Sequence, residues 1–177
     1  MKIEQTALRD CYIIRDSRFA DSRGYFFEVF NRKTFHNLTG LDVDFVQDNQ
    51  SVSTRGVLRG LHFQQGDAAQ AKLVRVAQGA VLDVAVDMRP GSETYGQHVA
   101  VELTGDNATQ LFVPRGFAHG FVVLSTKCAF LYKCDNYYNK SAEGGIRYDD
   151  PRLNIDWQMP ADELIISDKD LALPYLL

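Results

Sequence analysis

Short runs of β-branched and aromatic residues recur along this 177-residue chain, separated by Gly, Pro, Asn and Asp. The runs are CYIIRD, GYFFEVF, DFVQDN, KLVRVA, AVLDVAVDM, HVAVELT, QLFVP, GFVVLS and AFLYKC. Runs of this length and spacing are typical of strands in an antiparallel sandwich or barrel. We therefore predict an all-β chain that forms a single domain over residues 1–177, without an internal linker.

Helical signals are few and short. The pattern from Arg32 to Leu38 predicts a short helix closed by Gly40, and the stretch 161–172 predicts one or two helical turns. Helices of this length are marginal without tertiary contacts, so neither can build a core by itself.

The run from Val81 to Met88, VLDVAVDM, is almost continuously apolar. Such a run indicates a strand whose two faces are both covered, as in a packed double sheet. Asp83 and Asp87 interrupt it and fall on the same face by the two-residue period of a strand. An acid inside such a strand requires a partner, because burying an unpaired charge is costly.

The composition restricts the class of partner. Hydrophobic residues make up 45% and charged residues 24% of the chain, which is ordinary for a globular protein, and the net charge is −4. This charge gives no basic surface for nucleic acid, so we predict no nucleic-acid partner. A small phosphorylated ligand remains compatible, because a few local Arg and Lys residues can hold it.

The cysteines and the apolar runs restrict the compartment. Cys11, Cys128 and Cys134 cannot all pair within one chain, and their spacing does not match a zinc site. Reduced thiols in a cytoplasmic protein are the simplest interpretation. The first residues lack a signal-like apolar stretch, and no run reaches the roughly 18 residues that span a bilayer, so we predict neither secretion nor membrane insertion.

The segment GVLRGLHFQQ, residues 56–65, places Arg59 and His62 in a pattern otherwise suited to a buried strand. Lys72 opens the next predicted strand, and His119 lies in the apolar run FVPRGFAHGF. Burying two cations and an imidazole without an anionic ligand is expensive, which points to a binding site. The alternative is structural: the two acids of VLDVAVDM could neutralise these cations.

These segments, together with DSRGYFFE, FVQDNQS and LYKCDNYYNKSAEGG, resemble the dTDP-4-dehydrorhamnose 3,5-epimerase family of cupins. The resemblance runs from about Asp21 to Asp170. It implies a cupin-type double-stranded β-helix, or jelly roll, with a few short helices and polar residues lining the barrel. It also implies a homodimer that exchanges N-terminal strands.

The resemblance implies a dTDP-linked 4-keto-6-deoxyhexose as substrate and inversion at C3 and C5. His62 is then the base that removes each proton, Lys72 stabilises the enolate, and Tyr132 returns a proton on the opposite face. No redox cofactor is implied. Asp170 orients His62 in the family pattern, whereas without the family Asp168 is an equally good candidate in a polar surface turn.

The resemblance also implies contacts with the sugar nucleotide, from Arg23, Phe26, Glu28, Gln47, Asp48, Asn49, Arg59, Lys72, His119, Tyr138, Glu143 and Lys169. The strand of residues 21–28 is implied to reach the neighbouring subunit's site, and Tyr138 is implied to stack on the base. Without the resemblance, residues 21–28 are an edge strand with a charged hairpin, Tyr132 is a packing residue and Glu143 belongs to a loop.

Many cupins bind a metal through a His-x-His pair, which the sequence Gly60-Leu61-His62 interrupts. Only His62 and His119 are placed for the barrel, so the usual three-ligand site is incomplete and we predict no metal. Other functions remain open: a single-centre epimerase, a 3,4-ketoisomerase of a dTDP-4-keto sugar, or a non-catalytic sugar-binding cupin. The presence of both His62 and Tyr132 favours the double epimerase.

Overall fold

The computed structural model of the protein describes residues 1–176. The strands are β1 (Lys2–Gln5), β2 (Tyr12–Arg15), β3 (Phe19–Asp21), β4 (Gly24–Phe26), β5 (Gln47–Thr54), β6 (Leu58–Gln64), β7 (Lys72–Gln78), β8 (Ala80–Asp87), β9 (His98–Thr104), β10 (Thr109–Val113), β11 (Phe117–Val123), β12 (Lys127–Cys134) and β13 (Glu143–Gly145). The α-helices are α1 (Arg32–Thr39) and α2 (Asp168–Leu171). Single 3-10 turns occupy Gly66–Ala68, Lys140–Ala142 and Ala161–Glu163.

Two antiparallel sheets form the body of the fold. One has the strand order β1-β2-β10-β7-β12-β5, and the other has the order β13-β6-β11-β8-β9. The strands β3 and β4 form a separate hairpin. Strands that are distant in sequence lie side by side within each sheet, which is the topology of a jelly roll. The predicted double-stranded β-helix is confirmed.

The main core lies between the two sheets. Val74, Leu111 and Phe130 reach it from one sheet, and Ala85 and Phe121 from the other. All five are almost completely buried, and burial of apolar surface is the main favourable contribution to folding.

The strand β8 is buried on both faces, as its sequence predicts. Its inward face carries Val81 and Ala85, whereas Leu82, Val84 and Val86 pack outward. The outward residues are covered by the segment that follows β13, which contributes a second cluster around Trp157. This segment leads the chain back toward β6, and it carries Asp170.

The predicted helix near residue 32 is confirmed as α1. The side chain of Asn31 accepts a hydrogen bond from the Thr34 amide at its start, and Gly40, with φ of 74°, closes its end. A left-handed residue at this position is typically glycine, which has no Cβ to clash. The apolar side of α1 places Phe35 against Phe112 on the outer face of the six-stranded sheet.

Two predicted strands differ from the structure in extent. In GYFFEVF only Gly24–Phe26 is a strand, because the chain then turns so that Phe30 packs against Phe35 and Phe45. The run DFVQDN begins to pair only at Gln47 and continues to Thr54. The predicted turns in 161–172 are confirmed as the 3-10 turn and α2. Within residues 1–176, no helix has the length and apolar character needed to cross a membrane.

Candidate active site

His62 projects from β6 into the space between the sheets, and the backbone around it is set by two glycines. Gly60 has φ of 129°, and a Cβ there would lie 2.6 Å from Gly120 Cα on the neighbouring strand β11. A side chain cannot be accommodated at such a distance, so this close approach of β6 and β11 requires glycine. The antiparallel pairing of β6 and β11 places His62 opposite His119.

Asp170 holds His62 from the C-terminal side. The His62 Nε2 atom lies 2.7 Å from Asp170 Oδ1, and the amide of Gly60 donates to Oδ2 of the same carboxylate at 3.2 Å. Asp170 is buried, whereas Asp168 in the same helix is exposed. The geometry therefore pairs His62 with Asp170, which the residues alone could not distinguish from Asp168.

The Asp170 contact determines which His62 nitrogen can accept a proton. A carboxylate accepts, so Nε2 carries the hydrogen and Nδ1 is the ring nitrogen that has a free lone pair. Burial lowers the pKa of His62 below its ordinary value of 6.5, Asp170 opposes that shift and Lys72 adds to it. The lowered pKa keeps the imidazole neutral at neutral pH.

Lys72 and Tyr132 come from the opposite sheet. Lys72 begins β7, and Tyr132 lies on the adjacent strand β12, two residue pairs further along. Burial lowers the pKa of Lys72, and it raises the pKa of the Tyr132 phenol, which therefore stays protonated at neutral pH. An imidazole and a phenol thus line one cavity from different sheets.

The structural alternative for the two cations is not supported within residues 1–176, and the expectation that both are buried is wrong for Arg59, which is exposed, whereas Lys72 is partly buried. Asp83 Oδ2 lies 2.9 Å from His119 Nε2, and Asp87 forms a salt bridge with Arg89 at 2.8 Å. Arg59 and Lys72 form no salt bridge with a described acid. Arg59 instead donates to the Ser53 hydroxyl from Nε and Nη2, each at 3.3 Å.

Two adjoining cavities meet at His62, Lys72 and Tyr132. The inner cavity has a volume of about 310 Å³ and reaches the apolar side chains Phe121 and Phe130. The remaining residues of its wall are Ser51, Arg59, His119, Ser167, Lys169 and Asp170. The outer cavity has a volume of about 190 Å³. Its other lining residues are Gln47, Asn49, Phe63, Gln64, Gln70, Cys134, Tyr138 and Glu143.

Hydrogen bonds connect Tyr138 and Glu143 in the wall of the outer cavity with Lys169 in the wall of the inner one. The Tyr138 hydroxyl donates to Glu143 Oε2 at 3.0 Å, and Lys169 Nζ donates to Glu143 Oε1 at 2.5 Å. Lys169 lowers the pKa of Glu143, and Glu143 in turn raises the pKa of Lys169. These hydrogen bonds join the loop after β12 to α2, and α2 also carries Asp170.

Four of the predicted binding residues lie outside these two cavities. Asp48 points to the opposite face of β5 from its neighbours Gln47 and Asn49 and forms a salt bridge with Lys133. Arg23 and Phe26 are exposed on the β3–β4 hairpin, where Arg23 pairs with Asp21, and Glu28 follows that hairpin. Within one chain the structure does not bring these four residues to His62.

The cavity wall also contains residues that the sequence analysis did not single out. Ser51 lies two residues after Asn49 on β5, so strand periodicity assigns both to the same face. Phe121 follows His119 by the same spacing on β11. The two-residue period of a strand could therefore have predicted that Ser51 and Phe121 line the cavity. Within residues 1–176, no three His, Cys, Asp or Glu side chains come together as a metal-binding group.

Known proteins resemble this chain over nearly its full length. A family model described as dTDP-4-dehydrorhamnose 3,5-epimerase matches residues 5–177. The dTDP-4-dehydrorhamnose 3,5-epimerase of Salmonella typhimurium is 51% identical over 179 residues, which cover 99% of this chain and 96% of the relative.

Solved structures agree with this match. The dTDP-4-dehydrorhamnose 3,5-epimerase from Elizabethkingia anophelis superimposes with a TM-score of 0.96 at 55% identity, covering 99% of this chain and 96% of the other. The dTDP-6-deoxy-D-glucose-3,5-epimerase from Legionella pneumophila was solved in complex with dTDP-4-keto-L-rhamnose. It superimposes with a TM-score of 0.94 at 46% identity, covering 98% and 92% of the two chains.

Proposed function

This chain belongs to the dTDP-4-dehydrorhamnose 3,5-epimerase family, and we propose that it inverts C3 and C5 of dTDP-4-dehydro-6-deoxy-D-glucose to give dTDP-4-dehydro-L-rhamnose. The observation that carries the proposal is the His62–Asp170 pair, 2.7 Å apart, at a cavity that it shares with Lys72 and Tyr132. This set supplies a base, an electrophile and an acid.

His62 is the base in this proposal. The C3 and C5 hydrogens flank the C4 ketone, so removing either one gives an enolate whose charge lies on the C4 oxygen. Nδ1 of His62 accepts the proton, while Asp170 fixes the tautomer and stabilises the imidazolium that forms. A positioned general base of this kind contributes about 10²–10⁴-fold to a rate.

Lys72 stabilises the enolate oxygen. It is the cation that lies with His62 in both cavities, and it forms no salt bridge within the described residues. A donor aimed at a developing oxyanion contributes about 10²–10³-fold to the rate. The partial burial of Lys72 strengthens this contact, because charges interact more strongly where water is excluded.

Tyr132 donates the second proton. Inversion requires that a new proton arrives on the face opposite to the one from which the first was removed, and Tyr132 reaches the cavity from the sheet opposite His62. Burial raises the pKa of its phenol, so the hydroxyl keeps its proton near neutral pH and can donate it. The imidazolium of His62 and the phenolate of Tyr132 that remain after each inversion return to their neutral forms by proton exchange with solvent. Arg59 remains available for an oxygen of the diphosphate or for the enolate.

The nucleotide occupies the outer cavity in this proposal. Tyr138 offers an aromatic face at its rim, Gln47, Asn49 and Glu143 supply polar contacts in its wall, and Lys169 of the inner cavity contacts Glu143. Aromatic faces stack on nucleobases, and paired donors and acceptors select the polar edge of thymine.

We also infer a homodimer that acts in the cytoplasm. The β3–β4 hairpin carries Arg23 and exposes Phe19, Tyr25 and Phe26, a concentration of aromatic surface suited to contact with a second copy. Such a contact would bring Arg23, Phe26 and Glu28 to the partner's nucleotide site. Three free, buried thiols suit a reducing compartment.

The deciding experiment is turnover of dTDP-4-keto-6-deoxyglucose in deuterated water, followed by proton NMR. We expect loss of the sugar proton signals at both C3 and C5 and formation of the L-rhamno product. Deuterium at one carbon only would identify a single-centre epimerase. Formation of a 3-keto product would identify a ketoisomerase, and tight binding without exchange would identify a sugar-binding protein. Each of these three results contradicts the proposal.

A further inference from the structure

Ser51 occupies the inner face of β5, opposite Phe130 of β12. Its side chain lines the inner cavity together with Arg59, His62 and Lys72. The proposed epimerisation assigns no role to Ser51, although Ser51 belongs to the same cavity wall as the proposed catalytic groups.

The hydroxyl of Ser51 is buried and has no hydrogen-bond partner within residues 1–176. The other buried side-chain atoms without a partner there, in Asp16 and Arg18, lie in the N-terminal segment, away from the cavity. The next inward residue of the strand, Ser53, shows the usual state, because its hydroxyl accepts hydrogen bonds from Arg59. Buried polar groups in folded proteins are nearly always paired, so the unpaired hydroxyl beside a cavity requires an explanation.

The position of Ser51 identifies the ligand atoms that it can reach. Ser51 lines the inner cavity and is absent from the wall of the outer one, where Tyr138 lies. If the nucleotide fills the outer cavity, the hexose fills the inner one, beside Phe121 and Phe130. A serine side chain has three staggered rotamers and either donates or accepts a hydrogen bond, so a change of rotamer can turn its hydroxyl toward a sugar oxygen.

We propose that Ser51 is a further substrate-contacting residue whose hydroxyl hydrogen bonds an oxygen of the hexose. This inference rests on the proposed function for the location of the sugar. The proposal assigns Ser51 to recognition of the hexose ring and not of the nucleotide. Loss of its hydroxyl should therefore weaken binding of a ligand that carries the hexose and leave binding of dTDP unchanged, which a purely structural serine would not do.

The test compares two ligands on two variants by calorimetry. The ligands are dTDP and dTDP-6-deoxyglucose, which carries the hexose but has no ketone to react. The variants are Ser51→Ala and the control Thr54→Ala, which removes a hydroxyl from the exposed face of the same strand. In Ser51→Ala we expect dTDP-6-deoxyglucose to bind about 3- to 10-fold more weakly, the usual contribution of one hydrogen bond, and dTDP to bind within twofold of the unmodified chain.

Thermal unfolding separates recognition from structure. Because the Ser51 hydroxyl has no protein partner, we expect Ser51→Ala to melt at the same temperature as the unmodified chain or higher. Equal weakening of both ligands, an unchanged affinity for dTDP-6-deoxyglucose, or a lowered melting temperature would each overturn the assignment. The binding measurements do not depend on turnover, so a failure of the proposed epimerisation appears separately, as absent deuterium exchange in the unmodified chain.

Discussion

Two His–Asp pairs lie side by side in the barrel, and they are built differently. His62 of β6 and His119 of β11 face each other across the strand pair, and each places Nε2 against a carboxylate. His119 receives Asp83 from the adjacent strand β8 of its own sheet. His62 receives Asp170 from α2, which is 108 residues away in sequence.

Exposure differs with the origin of the acid. The side chain of His62 is 31% exposed, and that of His119 is 7% exposed, while the side chains of Asp170 and Asp83 are 5% and 0% exposed. A base must reach its substrate, so only the partly exposed imidazole is suited to proton transfer. The enclosed pair is suited to fixing a donor or acceptor at the cavity wall.

The same two residue types are therefore suited to different roles, according to how rigidly the surrounding structure holds each carboxylate. Asp83 is held by strand pairing on both sides, from β9 and β11. Asp170 depends on packing of the C-terminal segment, which a parallel bridge between Val57 and Ile165 ties to the sheet. The carboxylate paired with His62 is therefore positioned by tertiary contacts and not by sheet geometry.

The largest expected difference between the pairs appears when each imidazole is removed. We expect His62→Gln to lower kcat by about 10²–10⁴-fold, because the base is lost. His119→Gln should instead retain measurable exchange at C3 and C5 and act mainly through KM. Deuterium wash-in under single-turnover conditions measures both variants. Comparable loss of kcat in the two variants would contradict the assignment of proton transfer to His62 and not to His119.

A smaller effect separates the two acids. Asp83→Asn should reduce the free energy of unfolding by about 1–3 kcal/mol, because a fully buried, charge-assisted hydrogen bond is lost inside the sheet. Asp170→Asn should affect kcat more than stability, because the C-terminal segment can relax around the amide. Urea unfolding and turnover assays on both variants test this ordering, and a reversed ordering would show that the C-terminal segment is as rigid as the sheet.

The smallest effect is a shift in pH dependence. Burial holds the pKa of His62 below 6.5, so kcat/KM should be constant near neutral pH. It should fall only as the pH drops through this lowered pKa. Asp170 raises the pKa of His62, so Asp170→Asn should move this acidic limb to lower pH. A limb that stays in place in Asp170→Asn would show that another group titrates. A pH profile of kcat/KM for both proteins makes the comparison.

The same pKa shift has a consequence for stability with a definite sign. His62 protonates less readily in the folded chain than in the unfolded chain, so its contribution is fully present above the unfolded pKa. It is lost as the pH falls from about 6.5 through the lower folded pKa. Unfolding free energies at pH 7 and pH 5 should differ less in His62→Gln than in the unmodified chain, and an equal difference would assign the effect to other groups.

Much of the fold was predictable because its signals are local. The apolar runs identified most strands, and the pattern of VLDVAVDM indicated burial on both faces, which the structure confirms for β8. Gly40 marked the end of α1. The extent of the strand after Gly24 was not predictable, because the turn at Phe30 is set by its contacts with Phe35 and Phe45.

The site was predictable in its residue types and less so in its pairing. Arg59, His62 and Lys72 were identified from the expected cost of burying cations beside an imidazole, and in the structure Lys72 is partly buried whereas Arg59 is exposed. The residues around Asp168 and Asp170 look alike in sequence, and only the packing of α2 against β6 buries one and exposes the other. Ser51 carried no chemical signal, although its parity on β5 assigned it to the inner face.

Local patterns therefore predicted most of the strands, the end of α1 and a site with cations and an imidazole, because periodicity and burial cost act within short segments. Packing of distant segments brings Asp170 to His62 and Asp83 to His119, and it leaves the Ser51 hydroxyl beside the cavity without a partner among residues 1–176. Each of these depends on where distant segments meet. That is fixed by packing of the whole chain, and no local pattern encodes it.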